Sequence, residues 1–195
     1  MQLILGSQSP RRRELLQQLG LDFTVRAVDL DETKYETDDP EQTVRAICAA
    51  KAAAVAALSQ PGELVLTSDT IVVLDGQIMG KPHSPAEAEA MLTALSGRTH
   101  RVYTAFTLLP VGGTAQTDCA HTEVRFRTLS PAEIRAYVAS GEPMDKAGAY
   151  GIQRLGALLV EGINGDYFTV MGLPLCRVAL RLRDYGIFAL REDGT

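Results

Sequence analysis

The sequence predicts one α/β domain spanning residues 1–195. Three observations predict it. Short apolar runs of strand character alternate with segments at helical spacing. Serine-proline or aspartate-proline pairs mark helix starts at Ser9-Pro10, Asp39-Pro40, Ser84-Pro85 and Ser130-Pro131. Finally, 46% hydrophobic and 22% charged residues in 195 supply one sizeable core, with no long linker, repeat or low-complexity block to divide it.

Leu3-Ile4-Leu5 is a short strand, Gly6-Ser7-Gln8-Ser9 a loop, and a helix follows from Pro10, with Leu15, Leu16 and Leu19 on one face and Gly20 closing it. Residues 22–28 read as a strand, and the acidic stretch through Asp29, Asp31, Glu32, Glu36 and Asp38 as a loop. Asp39 caps a long alanine-rich helix that ends near Ser59, with Gln42 placed to close a capping box. Residues 64–74 form a strand run broken at Thr67-Ser68-Asp69-Thr70, which puts Asp69 at a strand end. Asp75-Gly76 then turns a hairpin into Gln77-Ile78-Met79.

Ser84-Pro85-Ala86-Glu87 and Ser130-Pro131-Ala132-Glu133 are identical capping boxes, opening helices that run to Leu95 and Ser140. Strands at 101–109 and 115–128 lie between them around Gly112-Gly113. The last third reads as an irregular stretch at 142–153, strands at 157–161 and 167–170, and a helix from Leu173 to Tyr185.

Charge and cysteine usage narrow the function. Nineteen Lys and Arg against twenty-four Asp and Glu give a net charge of -5, which argues against a broad grip on nucleic acid or an anionic membrane. Cys48, Cys119 and Cys176 are odd in number and far apart, so neither a disulfide framework nor a zinc site is expected and a reducing cytoplasm is the default. No run has the length a membrane span needs. The apolar residues at the N-terminus precede Arg11-Arg12-Arg13, the reverse of a secretory signal, so the mature chain is expected to begin at Met1.

The first helix differs from its two sisters in carrying Arg11 and Arg12 where they carry alanine and glutamate. Arginines in a first turn oppose the helix dipole, and a bound anion would reverse that sign. The Ser7 loop leads into this turn, so hydroxyls, backbone N–H groups and guanidinium groups converge as in a phosphate site; a solvated basic turn is the other reading. Gly76 to Lys81 is one residue short of a Walker A loop and continues into Pro82, which excludes a P-loop while leaving Lys81 as a point charge for phosphate. Asp69, in an apolar run, needs a partner, and with Glu32 it offers oxygen ligands to a magnesium-like ion; a solvated aspartate at a strand break is the alternative. Gln153 ends a glycine-rich loop, and its amide could read a base edge or lie idle on the surface. The histidines, His83, His100 and His121, lack ligand spacing, and G-x-S-x-G is absent.

Taken in order, Ser7-Gln8-Ser9-Pro10-Arg11-Arg12, Ser68-Asp69-Thr70-Ile71-Val72, Gly80-Lys81-Pro82, Ser96-Gly97-Arg98-Thr99-His100, Asp145 through Gln153, and Val170-Met171-Gly172-Leu173-Pro174-Leu175 resemble the Maf-type nucleoside triphosphate pyrophosphatases, from Leu3 to Leu182. The resemblance implies a twisted mixed β-sheet flanked by helices, with two lobes enclosing a nucleotide cleft, as in the ITPase/Maf-like fold. It implies hydrolysis of a nucleoside triphosphate to the monophosphate and pyrophosphate with a divalent cation, Mg²⁺ or Mn²⁺. Asp69 matches the proton acceptor, and Arg11, Thr70 and Gln153 match positions of substrate selection. The Tyr-x-Ile-Gln ending resembles the branch that acts on dTTP and UTP, with modified pyrimidine nucleotides also open.

The two readings combine into one expectation. Ser7, Arg11, Arg12, Lys51 and Lys81 hold the triphosphate, Glu32 and Asp69 hold the metal, and Asp69 accepts the proton of the attacking water. Lys51 rests on its place in the alanine-rich helix, where the resembled family carries lysine. Two departures stand out: Gly6 replaces a usual alanine, expected to be harmless, and Arg154 replaces a usual glycine, expected to narrow or recharge the base end. A homodimer is the expected assembly, with no nucleic-acid or membrane partner. The competing class is a non-catalytic nucleotide-sensing regulator of cell division, which needs the cationic grip but no proton acceptor.

Overall fold

The structure, a computed structural model, describes residues 1–190. Its strands are β1 (Gln2–Leu5), β2 (Phe23–Val25), β3 (Glu63–Leu74), β4 (Gln77–Met79), β5 (Thr99–Pro110), β6 (Gln116–Phe126) and β7 (Val160–Asn164). The helices are α1 (Pro10–Gln18), α2 (Pro40–Ala56), α3 (Pro85–Leu95), α4 (Pro131–Ala139), α5 (Tyr167–Met171) and α6 (Leu175–Leu182). The strands form a mixed seven-stranded sheet in the order β2-β1-β3-β5-β6-β7, with β4 paired to β3. The chain divides into two compact units, the first comprising Met1–Asp69, Ala105–Cys119 and Gly172 onward, the second Thr70–Thr104 and Ala120–Met171.

In the first unit β1 runs parallel to both β2 and β3, Leu3 facing Phe23 on one side and Leu64 on the other. A strand flanked on both edges in a parallel arrangement reads as a continuous apolar run, and Leu3, Ile4 and Leu5 are all buried. Helix α2 closes over this layer: Ala52 and Val55 pack on Ile4 and Val65. Asp39 caps α2 by accepting from the N–H groups of Glu41 and Gln42, and the helix ends at Ala56, three residues before the expected Ser59.

Gly6 N–H donates to Leu66 O at 2.8 Å, holding the end of β1 against β3. A Cβ at Gly6 would lie 2.6 Å from Thr67 Cγ2 and 3.0 Å from Val55 Cγ2. The glycine is therefore matched to Thr67, and an alanine here would force the Thr67 side chain to shift.

In the second unit Asp75 and Gly76 both have positive φ, 52° and 80°, the pair of left-handed residues that a two-residue hairpin demands. Helices α3 and α4 bury Ala88, Leu92, Leu95, Ile134 and Val138 with Phe126 and Tyr150. Ser130 and Glu133 form the full reciprocal capping box of α4. In α3 only half of it forms: Ser84 accepts from Glu87 N–H, while the Glu87 carboxylate reaches one residue further back to His83 N–H at 2.7 Å.

Three expected elements are corrected. The β3 run is unbroken from Glu63 to Leu74, so Asp69 sits within a strand. Each polar side chain in its middle is satisfied without leaving the strand: Thr67 Oγ1 donates to Cys48 O, Ser68 to main-chain carbonyls, Asp69 accepts from Lys51, and Thr70 pairs with Thr104. The expected strand at 167–170 is the short helix α5, because Asp166 accepts from both Thr169 N–H and Thr169 Oγ1 at 2.7 Å and starts a helical turn. The strand expected at 157–161 starts later, at Val160, behind a 3-10 turn at Arg154–Leu158.

Candidate active site

In the first unit the loop after β1, the start of α1, the 3-10 turn Glu32–Tyr35, α2 and the middle of β3 bring five expected residues together: Ser7, Arg12, Glu32, Lys51 and Asp69. Ser9, the residue before α1, makes no side-chain cap; instead its N–H donates to Ser7 Oγ at 3.2 Å. Arg12, in the first turn, donates from Nη1 to the same Ser7 Oγ at 3.2 Å and from Nε to Gly172 O at 2.8 Å. These contacts pin a guanidinium beside a helix start whose own N–H groups lack a side-chain cap, the composition expected of an anion site. Burial lowers the Arg12 pKa from its usual value, and Asp69 works against that loss.

Asp69 is 6% exposed. Lys51, projecting from α2, places Nζ 2.6 Å from Asp69 Oδ1 and 2.6 Å from Glu32 Oε1. Glu32 begins a 3-10 turn at Glu32–Tyr35 within the stretch expected to be a loop. Burial pushes the Asp69 carboxyl above its ordinary value, while the Lys51 and Arg12 cations pull it back. Burial likewise works against the Lys51 ammonium, but Asp69 and Glu32 hold it charged. A carboxylate made more basic by burial, held by Lys51 and lying in the field of Arg12, is suited to take a proton from water. The sequence led to Lys51 on phosphate; the structure puts its ammonium on the two carboxylates expected to hold the metal.

Ser68 and Gly172 lie in two of the motifs but carry no role that the sequence predicts. Ser68 Oγ lies 2.8 Å from Ala105 O and 2.9 Å from Gly172 O, sharing one hydrogen between two carbonyls. Gly172 O thus joins Arg12 to the residue preceding Asp69. Its φ of 105° is one that a glycine adopts without strain. The pairing spans 104 residues, so no local pattern could have revealed it.

Thr70, Lys81 and Gln153 belong to the second unit. Thr104 Oγ1 donates to Thr169 O at 2.7 Å, so in the 2.9 Å contact with Thr70 the Thr70 hydroxyl is the donor. Lys81 is exposed just after β4. Gln153 immediately precedes the Arg154–Leu158 turn and is half-buried. The loop before it is held tightly. Gly148 N–H donates to Gly80 O at 3.0 Å, Gly151 N–H to Tyr137 Oη at 3.3 Å, and Tyr150 Oη lies 2.7 Å from His100 Nε2. Arg154, exposed, has φ 54°, the left-handed backbone that explains why glycine would suit this place.

Among the described residues no group of three or more His, Cys, Asp or Glu side chains is arranged to hold a metal. No helix among them is long and apolar enough to cross a membrane. Among the described residues Cys48, Cys119 and Cys176 form no disulfide bond.

The family model described as Maf-like protein matches residues 2–185. A dTTP/UTP pyrophosphatase of Moorella thermoacetica is 54% identical over 187 residues, covering 95% of each chain. Another, from Shewanella oneidensis, is 50% identical, covering 96% of this chain and 100% of its own length. A solved HAM1 protein structure from Coxiella burnetii superposes with a TM-score of 0.50 at 17% identity, over 94% of this chain and 99% of that one, a likeness of fold.

Proposed function

The chain belongs to the Maf-like protein family, and from that premise we propose that it hydrolyses dTTP and UTP to the nucleoside monophosphate and pyrophosphate, as one catalytic domain in the cytoplasm. The observation that carries the reading is the buried Asp69 fixed by Lys51 and backed by Arg12, beside the Ser7 loop. A binding module needs the cations alone; a carboxylate kept basic among them supplies what hydrolysis adds. The names of the relatives support the substrate class. A net charge of -5 supports a small anionic substrate held at one site rather than a nucleic acid or a membrane.

Glu32 and Asp69 are hard oxygen donors that already converge on one cation, the Lys51 ammonium, and this chemistry fits Mg²⁺ or Mn²⁺. Bound there, the ion would neutralise charge at the α-phosphate. Arg12, oriented by Ser7 and Gly172, and Arg11 beside it on the helix start, bind phosphate oxygens. Asp69 accepts the proton of the water that attacks phosphorus, and the pyrophosphate leaves against the cationic cradle. Thr70 and Gln153 select the substrate, the Gln153 amide by offering both a donor and an acceptor to a base edge. Lys81 adds a point charge for the departing phosphates.

Product analysis tests the reading. Purified protein with Mg²⁺ or Mn²⁺ is presented with dTTP, UTP, CTP, ATP, GTP and 7-methyl-GTP, and nucleotides and pyrophosphate are measured separately. Monophosphate and pyrophosphate in equal amounts, from dTTP and UTP above the rest, is the expected result. A diphosphate with orthophosphate, or binding without turnover, would refute it.

A further inference from the structure

One nitrogen stands where two roles meet. Lys51 Nζ is 2.6 Å from an oxygen of Asp69 and 2.6 Å from an oxygen of Glu32, and the Lys51 side chain is only 17% exposed. Two carboxylates facing one point repel each other unless a cation lies between them. In the structure the lysine supplies that cation from the scaffold itself. A divalent ion would use the same two carboxylates, at about 2.0 to 2.6 Å, and would repel an ammonium left among them. The two cations therefore compete for the pair.

We infer that Lys51 is an exchangeable counter-ion: its ammonium keeps the Glu32–Asp69 pair assembled before substrate arrives, and gives up the carboxylates to the divalent ion when the metal–triphosphate enters. The inference rests on reading Glu32 and Asp69 as the metal ligands. The geometry supports exchange because Lys51 comes from α2, Glu32 from the 3-10 turn before it and Asp69 from β3, so the ammonium ties together three separate elements. A lysine stem has four rotatable carbons and a compact charge, able to leave a carboxylate for a phosphate without moving its helix. One consequence is that metal alone binds the free protein weakly, because it must displace a paired lysine. Metal with triphosphate binds well, because the substrate offers the displaced ammonium new oxygen partners.

The test is Mn²⁺ binding to the full, nucleotide-free chain, read from the paramagnetic resonance signal of the free ion. Lys51→Met removes the competing ammonium and is expected to tighten Mn²⁺ binding by about tenfold or more. Lys34→Met, which removes a positive charge two residues from Glu32, is expected to change it by less than about twofold. Unchanged or weaker binding by Lys51→Met, or equal tightening by both variants, overturns the exchange. Because Lys51→Met leaves carboxylates without their partner, it is also melted with and without Mn²⁺. A larger Mn²⁺-induced rise in Tm than in the parent supports exchange, and an equal or smaller rise overturns it. Asp69→Asn and Glu32→Gln separate the two failures. If both leave Mn²⁺ affinity unchanged, the ligand assignment itself is wrong; if they weaken it while Lys51→Met fails to tighten it, only the exchange is.

Discussion

Acidification should weaken this fold through one buried histidine. His100 is 2% exposed, packs edge-on against Phe126 and Tyr150, and contacts Tyr150 Oη through Nε2, while its buried Nδ1 has no hydrogen-bond partner among the described residues. Burial pushes its pKa from 6.5 down to about 4. The folded protein therefore resists a proton that the unfolded chain accepts, so stability is complete above the unfolded value and drains away as pH falls between the two. Applying the linkage relation to that shift, lowering the pH from about 7 to about 5 costs about 2 kcal/mol. Urea denaturation of the parent and His100→Phe at both pH values measures it. The variant has nothing to titrate there, so its stability should fall by that much less across the interval. Equal pH dependence in the two proteins would refute the argument.

Further outcomes follow from single contacts. Asp69→Asn should lower kcat by about a hundredfold to ten-thousandfold while circular dichroism stays native; normal turnover would remove Asp69 from the chemistry. At Gly156 a Cβ would stand 1.9 Å from Gly151 O and 2.9 Å from Tyr137 Oη, so Gly156→Ala must push apart the loop that carries Gln153. A loss of about 1 to 3 kcal/mol in thermal melting is expected, and an unchanged Tm would contradict the packing. Arg154→Gly relieves a left-handed arginine and should gain about 0.5 to 1 kcal/mol, net of the glycine entropy cost; a lower Tm would contradict it.

What could be read from the sequence was local. The Ser130 box, the Asp39 cap, the Asp75-Gly76 turn and the arginines of α1 announce themselves within a few residues, and the structure carries each one. The motifs pointed to Ser7, Arg12 and Asp69, the acidic loop to Glu32 and the alanine-rich helix to Lys51, and the structure brings these side chains together. The strand through Thr67-Ser68-Asp69-Thr70 was hidden because polar residues normally mark a break, and only distant partners at Cys48, Lys51 and Thr104 make them tolerable there. The aromatic run at 167–170 has strand propensity, and the Asp166 cap overrides it. The His100–Tyr150 contact and the Lys51 bridge join residues 50 and 18 positions apart, beyond any helical or strand period.

The central claim is that water, relieved of its proton at Asp69, attacks the α-phosphorus. Hydrolysing UTP in water enriched in heavy oxygen and weighing both products tests it most directly. The account predicts one heavy oxygen in the UMP and none in the pyrophosphate, with the labelled product nearly absent for Asp69→Asn; heavy oxygen in the pyrophosphate would place the attack on the other side of the bond and contradict it.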